Sequence, residues 1–383
     1  MIRVLHVVGS LSPEWGGLSR AVAGLSGALA RLGLEVEIIT TAQGQEEQLQ
    51  AEGTKVQVFR CGPLAWRRYA GNLAPAIKEV VRRADLVHIH GLWLYPHLIA
   101  SRAALRACKP YILSPHGMLS PWALAHKKAR KRIYGSLIEC RTLRKAAALH
   151  ALSGIEAIDL MHLGFSTRVF IVPNGIDVRK FASLPDGSAL SIPNPIPREK
   201  TILLFLGRLH PIKGLDVLVR AFCKVVRKRE NVMLVIAGPD ETDYRRRLLS
   251  YLDTESAKAH CLFTGMLRGG ERLAALAAAD VFILPSYSEG FGVAAIEAMA
   301  AKLPTILSKA CGISGVEEAG AGFVVAPETD ALCGAILRLI DDPLLRERMG
   351  ENGRQLVLAK YTWDKVAKRM IEAYQTILAS RKA

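Results

Sequence analysis

Two carboxylates eight positions apart follow an apolar run and enter a segment rich in alanine. The sequence PSYSEGFGVAAIEAMA (285–300) carries Glu289 before two glycines and Glu297 about two helical turns later. Glu297 lies among alanine, isoleucine and methionine, so its carboxylate needs hydrogen-bond donors. A ribose diol supplies two donors, and Glu289 could accept from the hydroxyls of a sugar. The alternative is a capping glutamate and an unrelated surface glutamate, which the spacing alone does not exclude.

A pair of cations follows a second apolar run, TILLFLG (201–207). The loop GRLHPIKG (207–214) carries Arg208 and Lys213 just before a segment of helical period. Arginine binds phosphate oxygens with two parallel N–H groups, lysine adds a compact charge, and a helix N-terminus favours anions. The loop therefore indicates a diphosphate site, although solvated surface cations would look the same. It lacks the G-x-x-x-x-G-K-[ST] pattern of a P-loop.

Glycines and histidines end strands in the first half of the chain. Gly16 and Gly17 either close a tight strand–helix turn or let backbone N–H groups approach a phosphate. His116 precedes a glycine at a strand end and is the histidine we expect at an active site. His90 is predicted to be structural. Because neither His88 nor the other two has a metal-like partner at useful spacing, no metal site is predicted.

Short apolar runs alternate with helical segments along the chain, which is typical of parallel sheets covered on both faces. Parallel sheets bind ligands beyond the carboxyl ends of their strands, where the groups above lie. We predict an α/β protein with two Rossmann-like domains facing a cleft, residues 1–185 and 186–363, with the helix 364–383 packing back on the first. The proline-rich segment 184–200 is predicted to be the linker, and residues 122–145 to be helical. The predicted strands are 4–8, 36–40, 55–59, 86–90, 111–115, 170–173, 201–207, 232–238, 261–265, 281–286, 304–308 and 323–327.

Composition places the chain among globular proteins. Of its 383 residues, 50% are hydrophobic and 22% are charged. No apolar run approaches the roughly 18 residues of a membrane-spanning helix, and the first apolar stretch is too short for a secretory signal. The seven cysteines are scattered without a C-x-x-C pair, which is typical of reduced thiols in a cytoplasmic protein.

Positive charge is concentrated in one stretch of the sequence. The chain has a formal net charge of +16, and residues 126–145 hold eight basic residues against Glu139, a net +7. Two interpretations stay open: a solvated helix face, or a patch for an anionic membrane, where each basic group contributes about 1 kcal/mol. Trp66, Arg67 and Arg68 add an aromatic and basic element to the same domain. Because no nucleic-acid-reading module is present, nucleic acid is not expected as a partner.

Taken in order, the motifs resemble those of the retaining glycosyltransferases of family four, also called glycosyl transferases group 1, which have the GT-B fold. The resemblance spans nearly the whole chain. It implies an acceptor domain followed by a donor domain for a nucleotide sugar, with no metal and no cofactor. The matching motifs are HIHG (88–91), SPHGM (114–118), VPNGID (172–177), GRLHPIKG (207–214) and the Glu-x7-Glu element of 285–300.

The resemblance assigns the donor site to the second half of the chain. Arg208 and Lys213 would bind the diphosphate of the donor and stabilise the charge on the leaving group without a metal. Glu297 would hold the ribose hydroxyls. Glu289 would hold the hydroxyls of the donor sugar, together with the backbone N–H groups of Gly290, Phe291 and Gly292.

The remaining roles implied by the resemblance concern the base, the sugar and the acceptor. The main chain around Met266 and Leu267 would contact the base. His116 would reach a sugar hydroxyl and the reacting centre, and Gly16 and Gly17 would border the phosphate and the acceptor. No acidic residue of the first domain stands out as a nucleophile. This agrees with a substrate-assisted route, in which the leaving phosphate helps to deprotonate the acceptor.

The expected activity is transfer of a sugar, with retention, from a UDP- or GDP-sugar to a hydroxyl acceptor. The expected acceptor is a lipid-linked saccharide in the assembly of a surface polysaccharide or glycolipid, which would place a cytoplasmic enzyme at the inner face of the membrane. Alternatives are a soluble small-molecule acceptor, a basic nucleic-acid-binding protein, or a sugar-phosphate enzyme of the same fold. A phosphorylase would need a lysine that carries pyridoxal phosphate, and no motif suggests one.

Overall fold

The chain divides into two compact units in its computed structural model. The first unit comprises Met1–Gly175 and Thr362–Ala383, and the second comprises Ile176–Tyr361. The structure describes residues 1–62, 66–125, 139–186, 199–252 and 254–380. Most of the basic stretch (126–138) and most of the predicted linker (187–198) lie outside the described residues.

A parallel sheet forms the centre of the first unit. Its described strands are β1 (Arg3–Val8), β2 (Glu35–Gln43), β3 (Lys55–Cys61), β4 (Leu86–His90), β5 (Tyr111–Ser114), β6 (Ala148–Ala151) and β7 (Val169–Ile171). They lie in the order β3-β2-β1-β4-β5-β6-β7. The described helices are α1 (Gly17–Arg31), α2 (Leu73–Arg83), α3 (Tyr95–Arg106), α4 (Pro121–Ala125), α5 (Cys140–Lys145), α6 (Gly154–His162) and, from the end of the chain, α14 (Trp363–Ala379).

A second parallel sheet forms the centre of the second unit. Its described strands are β8 (Thr201–Leu206), β9 (Val232–Ala237), β10 (Cys261–Gly265), β11 (Val281–Leu284), β12 (Thr305–Leu307) and β13 (Gly322–Val324). They lie in the order β10-β9-β8-β11-β12-β13. The described helices are α7 (Leu215–Val226), α8 (Tyr244–Leu249), α9 (Glu255–Ala259), α10 (Gly269–Ala278), α11 (Val293–Ala300), α12 (Thr329–Asp341) and α13 (Pro343–Lys360).

Each sheet reverses its strand order once, and this reversal creates the place where ligands bind in such folds. In the first sheet the reversal lies between β1 and β4, and in the second it lies between β8 and β11. At such a point the connections leave toward opposite faces of the sheet, so the loops beyond the strand ends separate and leave a crevice. The loops after β8 and β11 are the two that carry the cations and the carboxylates singled out in the sequence.

Alternation along the strands sends side chains of the first sheet into two cores. Leu5 and Val7 of β1 pack in the core that also contains α2 and α3, whereas Val4 and Val8 pack with α1 and α14. The apolar face of α14 belongs to this second core, which explains why the last helix is part of the first unit. Among the described residues, no helix has both the length and the hydrophobicity needed to span a bilayer.

The predicted α/β class with two parallel sheets is confirmed. One strand was missed in the sequence: β6 has the sequence ALHA, in which alanine gives no strand signal, yet it is fully buried. The first unit ends at Gly175, ten residues before the boundary expected at 185. Ile176 already belongs to the second unit, where its N–H donates to the carbonyl of Tyr361 at 2.9 Å. The region 122–145 contains helices at Pro121–Ala125 and Cys140–Lys145, separated by residues outside the described part.

Candidate functional site

The loops after β8 and β11 are joined through a glycine. Gly214 has φ +66°, and a Cβ built on it would lie 2.1 Å from the carbonyl oxygen of Pro285, so no larger residue fits. The N–H of Tyr287 donates to the carbonyl of Ile212 at 2.8 Å. These contacts fix the loop that carries Lys213 against the loop that carries Glu289.

Lys213 and Glu289 form an ion pair at the carboxyl edge of the second sheet. Lys213 Nζ lies 2.7 Å from Oε1 and 2.5 Å from Oε2 of Glu289. Their side chains are only 14% and 13% exposed, so both charges are largely desolvated and each compensates the other. The structure therefore brings together one cation and one carboxylate from motifs that are 76 residues apart.

Arg208 follows β8 but is much more exposed than Lys213. Its Nη1 lies 3.7 Å from an oxygen of Glu241, and both side chains are more than half exposed, at 60% and 64%. Exposed pairs of this kind contribute little, so this contact would be exchanged at small cost for a stronger anion.

Glu297 lies on the second turn of α11, and an arginine that sequence reasoning missed holds it. Arg272 of α10 donates through Nη2 to Glu297 Oε2, with both side chains largely buried. Nε of Arg272 is buried and has no partner among the described residues. The sequence GGERLAAL (269–276) contained the available signal, a cation in the first turn of a helix at a strand end.

The glycine loop before α11 differs in part from its expected role. The N–H of Gly292, expected to face a phosphate, donates instead to the carbonyl of Cys311 at 2.9 Å. The ring of Phe291 is buried, with its centroid 6.0 Å from that of Tyr361. Any contact of this loop with an anion therefore falls to the N–H groups of Gly290 and Phe291.

The loop after β10 places Met266 and Leu267 at the same edge of the second sheet. Gly265 has φ +75°, and its carbonyl accepts the N–H of Gly238 at 2.8 Å. Met266 is exposed and Leu267 half-buried. The exposed side chain of Met266 suits packing on the face of a planar base, and the main-chain groups of the turn suit hydrogen bonds to its edge. This is the role expected for the loop.

In the first unit, His116 lies in the loop after β5 with an unusual backbone. His116 has φ +54° and Gly117 has φ +76°, so two consecutive residues are left-handed. Such a conformation in a residue with a Cβ is costly and persists where the surroundings enforce it. His116 Nε2 lies 3.1 Å from Nδ1 of His90, and burial lowers the pKa of His116 to about 3. His116 is therefore neutral at physiological pH.

A buried glutamate, also missed in the sequence, holds the His116 loop. Glu156 Oε1 accepts the N–H of Gly117 at 2.6 Å, and Oε2 accepts the N–H of Leu152 at 2.7 Å. Glu156 lies in the first turn of α6, where Ser153 caps its own N–H at 3.2 Å. Burial raises the pKa of Glu156 to about 7. The two N–H groups have the smaller, opposite effect, because they favour the charged form. One carboxylate thus ties the ends of β5 and β6 together.

Two other histidines of the first sheet, His88 and His150, take part in a buried hydrogen-bonded row. Because the carbonyl of Val172 needs a donor, His150 Nε2 carries the proton at 2.7 Å from it, and His150 Nδ1 accepts from Ser114 Oγ, also at 2.7 Å. His88 Nε2 then donates to Ser114 Oγ and its Nδ1 accepts from Tyr374, each at 2.6 Å. His88, of the HIHG motif, is thus hydrogen-bonded through both ring nitrogens inside the fold. A ring nitrogen of each of His6, His88 and His90 lies within 4.8 Å of the others, as for a metal, but both nitrogens of His88 already have partners.

The first glycine pair is open to solvent, whereas Arg67 and Arg68 have internal roles. Gly16 has φ +74° and precedes α1, with open space around it and around Gly17. Arg68 was expected to add to a basic surface, but it is buried and binds Glu46 through both Nη atoms at 2.9 Å. Arg67 donates to the carbonyl of Trp93 at 2.7 Å. Arg67 and Arg68 therefore stabilise the strand-end loops instead of forming a free basic patch.

Comparison with known proteins identifies the two halves of the chain separately. The family profile described as Glycosyltransferase Family 4 matches residues 15–180, and the profile described as Glycosyl transferases group 1 matches residues 189–356. A D-inositol 3-phosphate glycosyltransferase of Kineococcus radiotolerans is 28% identical, with 96% of this chain and 92% of the relative covered. A phosphatidyl-myo-inositol mannosyltransferase of Mycobacterium leprae is 27% identical, with 95% and 94% covered.

Solved structures match the fold over both units. Sucrose-phosphate synthase of Thermosynechococcus elongatus superposes with a TM-score of 0.78 at 22% identity, covering 99% of this chain and 100% of that one. HepE of Anabaena, in complex with UDP-glucose, gives a TM-score of 0.77 at 20% identity, covering 98% and 100%. With one profile on each unit and the GT-B fold in these neighbours, the chain belongs to the group 1, family 4 glycosyltransferases.

Proposed function

We propose that the protein transfers a sugar from a nucleoside-diphosphate sugar to a hydroxyl acceptor with retention at the anomeric carbon. The observation that carries this proposal is the Lys213–Glu289 pair at the reversal of the second sheet, with Glu297 on the helix that follows. A cation for phosphate and two carboxylates for hydroxyl groups at one strand edge match the three parts of such a donor. The names of the glycosyltransferase relatives support the same class of reaction.

The pair is suited to exchange partners when the donor binds. Lys213 would turn from Glu289 to the diphosphate, and Glu289 would accept the sugar hydroxyls that replace its cation. Because both groups are already largely desolvated, the charge developing on the leaving phosphate would meet a preorganised cation. Arg208, exposed nearby in the same loop, would give up its weak contact with Glu241 for a phosphate oxygen.

In the proposed reaction the bond between the anomeric carbon and the diphosphate oxygen breaks. The acceptor oxygen bonds to that carbon on the same face, and its proton passes to the oxygen of the leaving phosphate. Arg208 and Lys213 supply the positive charge for the leaving group, and we propose that no metal is needed for it. His116 is neutral, so we propose a contact with a sugar hydroxyl rather than proton abstraction.

A panel of UDP-, GDP- and ADP-sugars tests the donor, with products identified by mass spectrometry and the anomeric configuration by NMR. Lys213→Ala and Glu297→Ala should each lower kcat/KM by about 100-fold or more, as expected for removing one charged contact in a desolvated site. Lys224→Ala is the matched control, because Lys224 pairs with Asp330 on the surface of the same unit. Full activity of both test variants would refute the site.

For the acceptor we propose a lipid-linked saccharide presented at an anionic membrane. A groove of about 240 Å³ between α3 and α5 is lined by two leucines and by four cations, Arg102, Arg106, Arg141 and Lys145. None of the four cations forms an ion pair within the described part of the chain. Basic groups beside apolar side chains suit a phospholipid surface. A soluble phosphorylated acceptor is the second candidate, because one relative is named for D-inositol 3-phosphate.

Co-sedimentation with vesicles of anionic lipid at low and high salt tests the membrane proposal. We expect salt-sensitive binding that the double variant Arg102→Glu, Arg106→Glu reduces at least tenfold, since reversal of two charges removes more than 1.4 kcal/mol. Arg246→Glu, an exposed substitution in the second unit, is the control. Binding that ignores both salt and the double variant would rule out the groove, and a soluble acceptor would then be favoured.

A further inference from the structure

Three histidines form a line: His6 within β1, His90 at the end of β4, and His116 in the loop after β5. His6 Nδ1 lies 2.8 Å from His90 Nε2, and His90 Nδ1 lies 3.1 Å from His116 Nε2. The rings of His6 and His90 are stacked, 5.0 Å apart and 11° from parallel. His6 and His90 are fully buried on β1 and β4, where Val8 is the register partner of His90. The last nitrogen of the line, Nε2 of His6, is buried without a partner among the described residues.

Each ring in this line carries one proton, so the two hydrogen bonds must run in the same direction. Burial lowers the pKa of His6 and of His116 to about 3 and that of His90 well below its ordinary value. A neutral imidazole has one donor and one acceptor nitrogen. His90 therefore either donates to His116 and accepts from His6, or accepts from His116 and donates to His6.

The unpartnered nitrogen of His6 decides between these directions. If the line ran from His116 toward His6, His6 Nε2 would be a buried N–H without an acceptor. In the opposite direction it would be a bare nitrogen. Buried donors without a partner are the rarer and costlier case in folded proteins. The favoured direction runs from His6 through His90 to His116, where Nε2 accepts and Nδ1 holds the proton.

We propose that His6 and His90 are positioning residues that fix the proton of His116 on Nδ1. With Nε2 occupied by His90, the half-buried ring of His116 offers only an N–H donor to a substrate. This rests on the proposed function, in which His116 contacts a sugar hydroxyl. The left-handed backbone of His116 and the carboxylate of Glu156 on the next N–H hold the ring in register with His90.

Long-range ¹H–¹⁵N spectra of the full chain labelled at histidine nitrogen test the assignment directly. For His116, identified by its loss in His116→Gln, we expect a protonated Nδ1 and a bare Nε2 at neutral pH. A protonated Nε2 would overturn the proposal. The measurement needs no turnover, so it stands even if the proposed function fails, and Lys213→Ala should leave this signature unchanged.

Two substitutions of His90 test its role in positioning. Asparagine keeps an N–H close to the place of Nδ1, whereas alanine removes it. We expect His90→Ala to mix the two tautomers of His116 and lower kcat about tenfold with the KM for donor nearly unchanged, the size of one hydrogen bond. His90→Asn should restore most of both. His150→Asn is the control for a buried histidine, because the hydrogen bonds of His150 do not lead to His116. The proposal would fail if His150→Asn changed the tautomer of His116 as much as His90→Ala does. It would also fail if His90→Ala left that tautomer unchanged.

Discussion

The two carboxylates proposed to bind the donor are each paired with a cation of the same unit. Lys213 compensates Glu289, and Arg272 compensates Glu297, so neither largely buried carboxylate is left without a cation. Breaking a buried pair by removing one partner leaves an uncompensated charge, which costs more than the pair contributes. Each pair thus keeps a binding group in place before the ligand arrives.

Arg272→Ala tests the second pair. Loss of a hydrogen bond to a charged group costs about 1.5–3 kcal/mol, so we expect a KM for donor raised roughly 10- to 100-fold and a smaller change in kcat. Arg246→Ala, on the exposed face of α8, should change neither. Equal kinetics of the two variants would show that Glu297 does not depend on Arg272.

At the scale of residues, the sequence indicated the side chains that belong to a short motif. It missed those whose partners are distant in the sequence. Lys213, Glu289 and Glu297 were singled out because each follows a strand within a short pattern. Arg272 lies 25 residues from Glu297, and Glu156 lies 39 residues from the N–H of Gly117. No local spacing records such pairs, since the sheet order brings them together.

At the scale of elements, the contact of Gly214 with Pro285 determines how the loops after β8 and β11 lie. Gly214 has a left-handed backbone, and a Cβ at this position would collide with the carbonyl oxygen of Pro285. Glycine is therefore required here for two separate reasons. The 3₁₀ turn Pro211–Lys213 ends at this glycine, and His210 caps the turn by accepting the N–H of Ile212 at 3.2 Å. A short segment thereby sets the direction of Lys213.

Gly214→Ala should destabilise the second unit by more than its backbone strain alone. A left-handed alanine costs roughly 1 kcal/mol, and a Cβ 2.1 Å from a carbonyl oxygen forces the two loops apart. Gly265→Ala is the matched control, with φ +75° and open space around the new Cβ. In urea unfolding we expect a loss about 2 kcal/mol larger for Gly214→Ala. Equal losses would mean that the contact with Pro285 is unimportant.

Elements with strong apolar runs were predictable, and the exceptions have physical reasons. β8 (TILLFL) and β9 (VMLVIA) are almost continuously apolar, as expected for strands covered on both faces. β6, with the sequence ALHA, is fully buried, but its two alanines carry no strand preference that a sequence pattern could show. The domain boundary was placed by proline content, whereas the structure places it where backbone pairing with Tyr361 begins.

At the scale of the whole molecule, the two units differ sharply in titratable and fluorescent groups. Six histidines with lowered pKa values lie in the first unit: the buried His6, His88, His90, His97 and His150, and the half-buried His116. All five tryptophans of the chain also lie there, whereas His210 and His260 are the histidines of the second unit. Tryptophan fluorescence therefore reports the first unit, and far-ultraviolet circular dichroism reports both.

The first unit should lose stability as the pH falls below about 6.5. Below that pH the histidines of the unfolded chain are protonated, whereas those of the folded unit stay neutral. Burial lowers the pKa to about 3 for His6 and about 4 for His97, so each contributes a loss of about 1.4 kcal/mol per pH unit over that window. Three carboxyl groups of the first unit, Glu139, Glu156 and Asp159, have pKa values raised by burial and act in the opposite direction, but they are three groups against six.

In an acid titration we expect the tryptophan fluorescence to change first, and the rest of the far-ultraviolet circular dichroism signal to be lost only at a lower pH. His97→Leu removes one titrating group, so its stability relative to the parent should be higher at pH 5 than at pH 7.5. A stability difference independent of pH, or coincident transitions by both probes, would contradict this account.

The place of α14 has a consequence for the order in which the protein matures on the ribosome. The first unit needs Tyr374, fully buried and bonded to His88, yet that residue is made after the entire second unit. The second unit, whose chain is continuous from Ile176 to Tyr361, can close as soon as it has emerged. Until α14 follows, Tyr374 is missing from the histidine row, and the part of the first unit's core that packs on α14 is exposed to solvent. The second unit can therefore finish folding before the first, although it follows the first in the sequence.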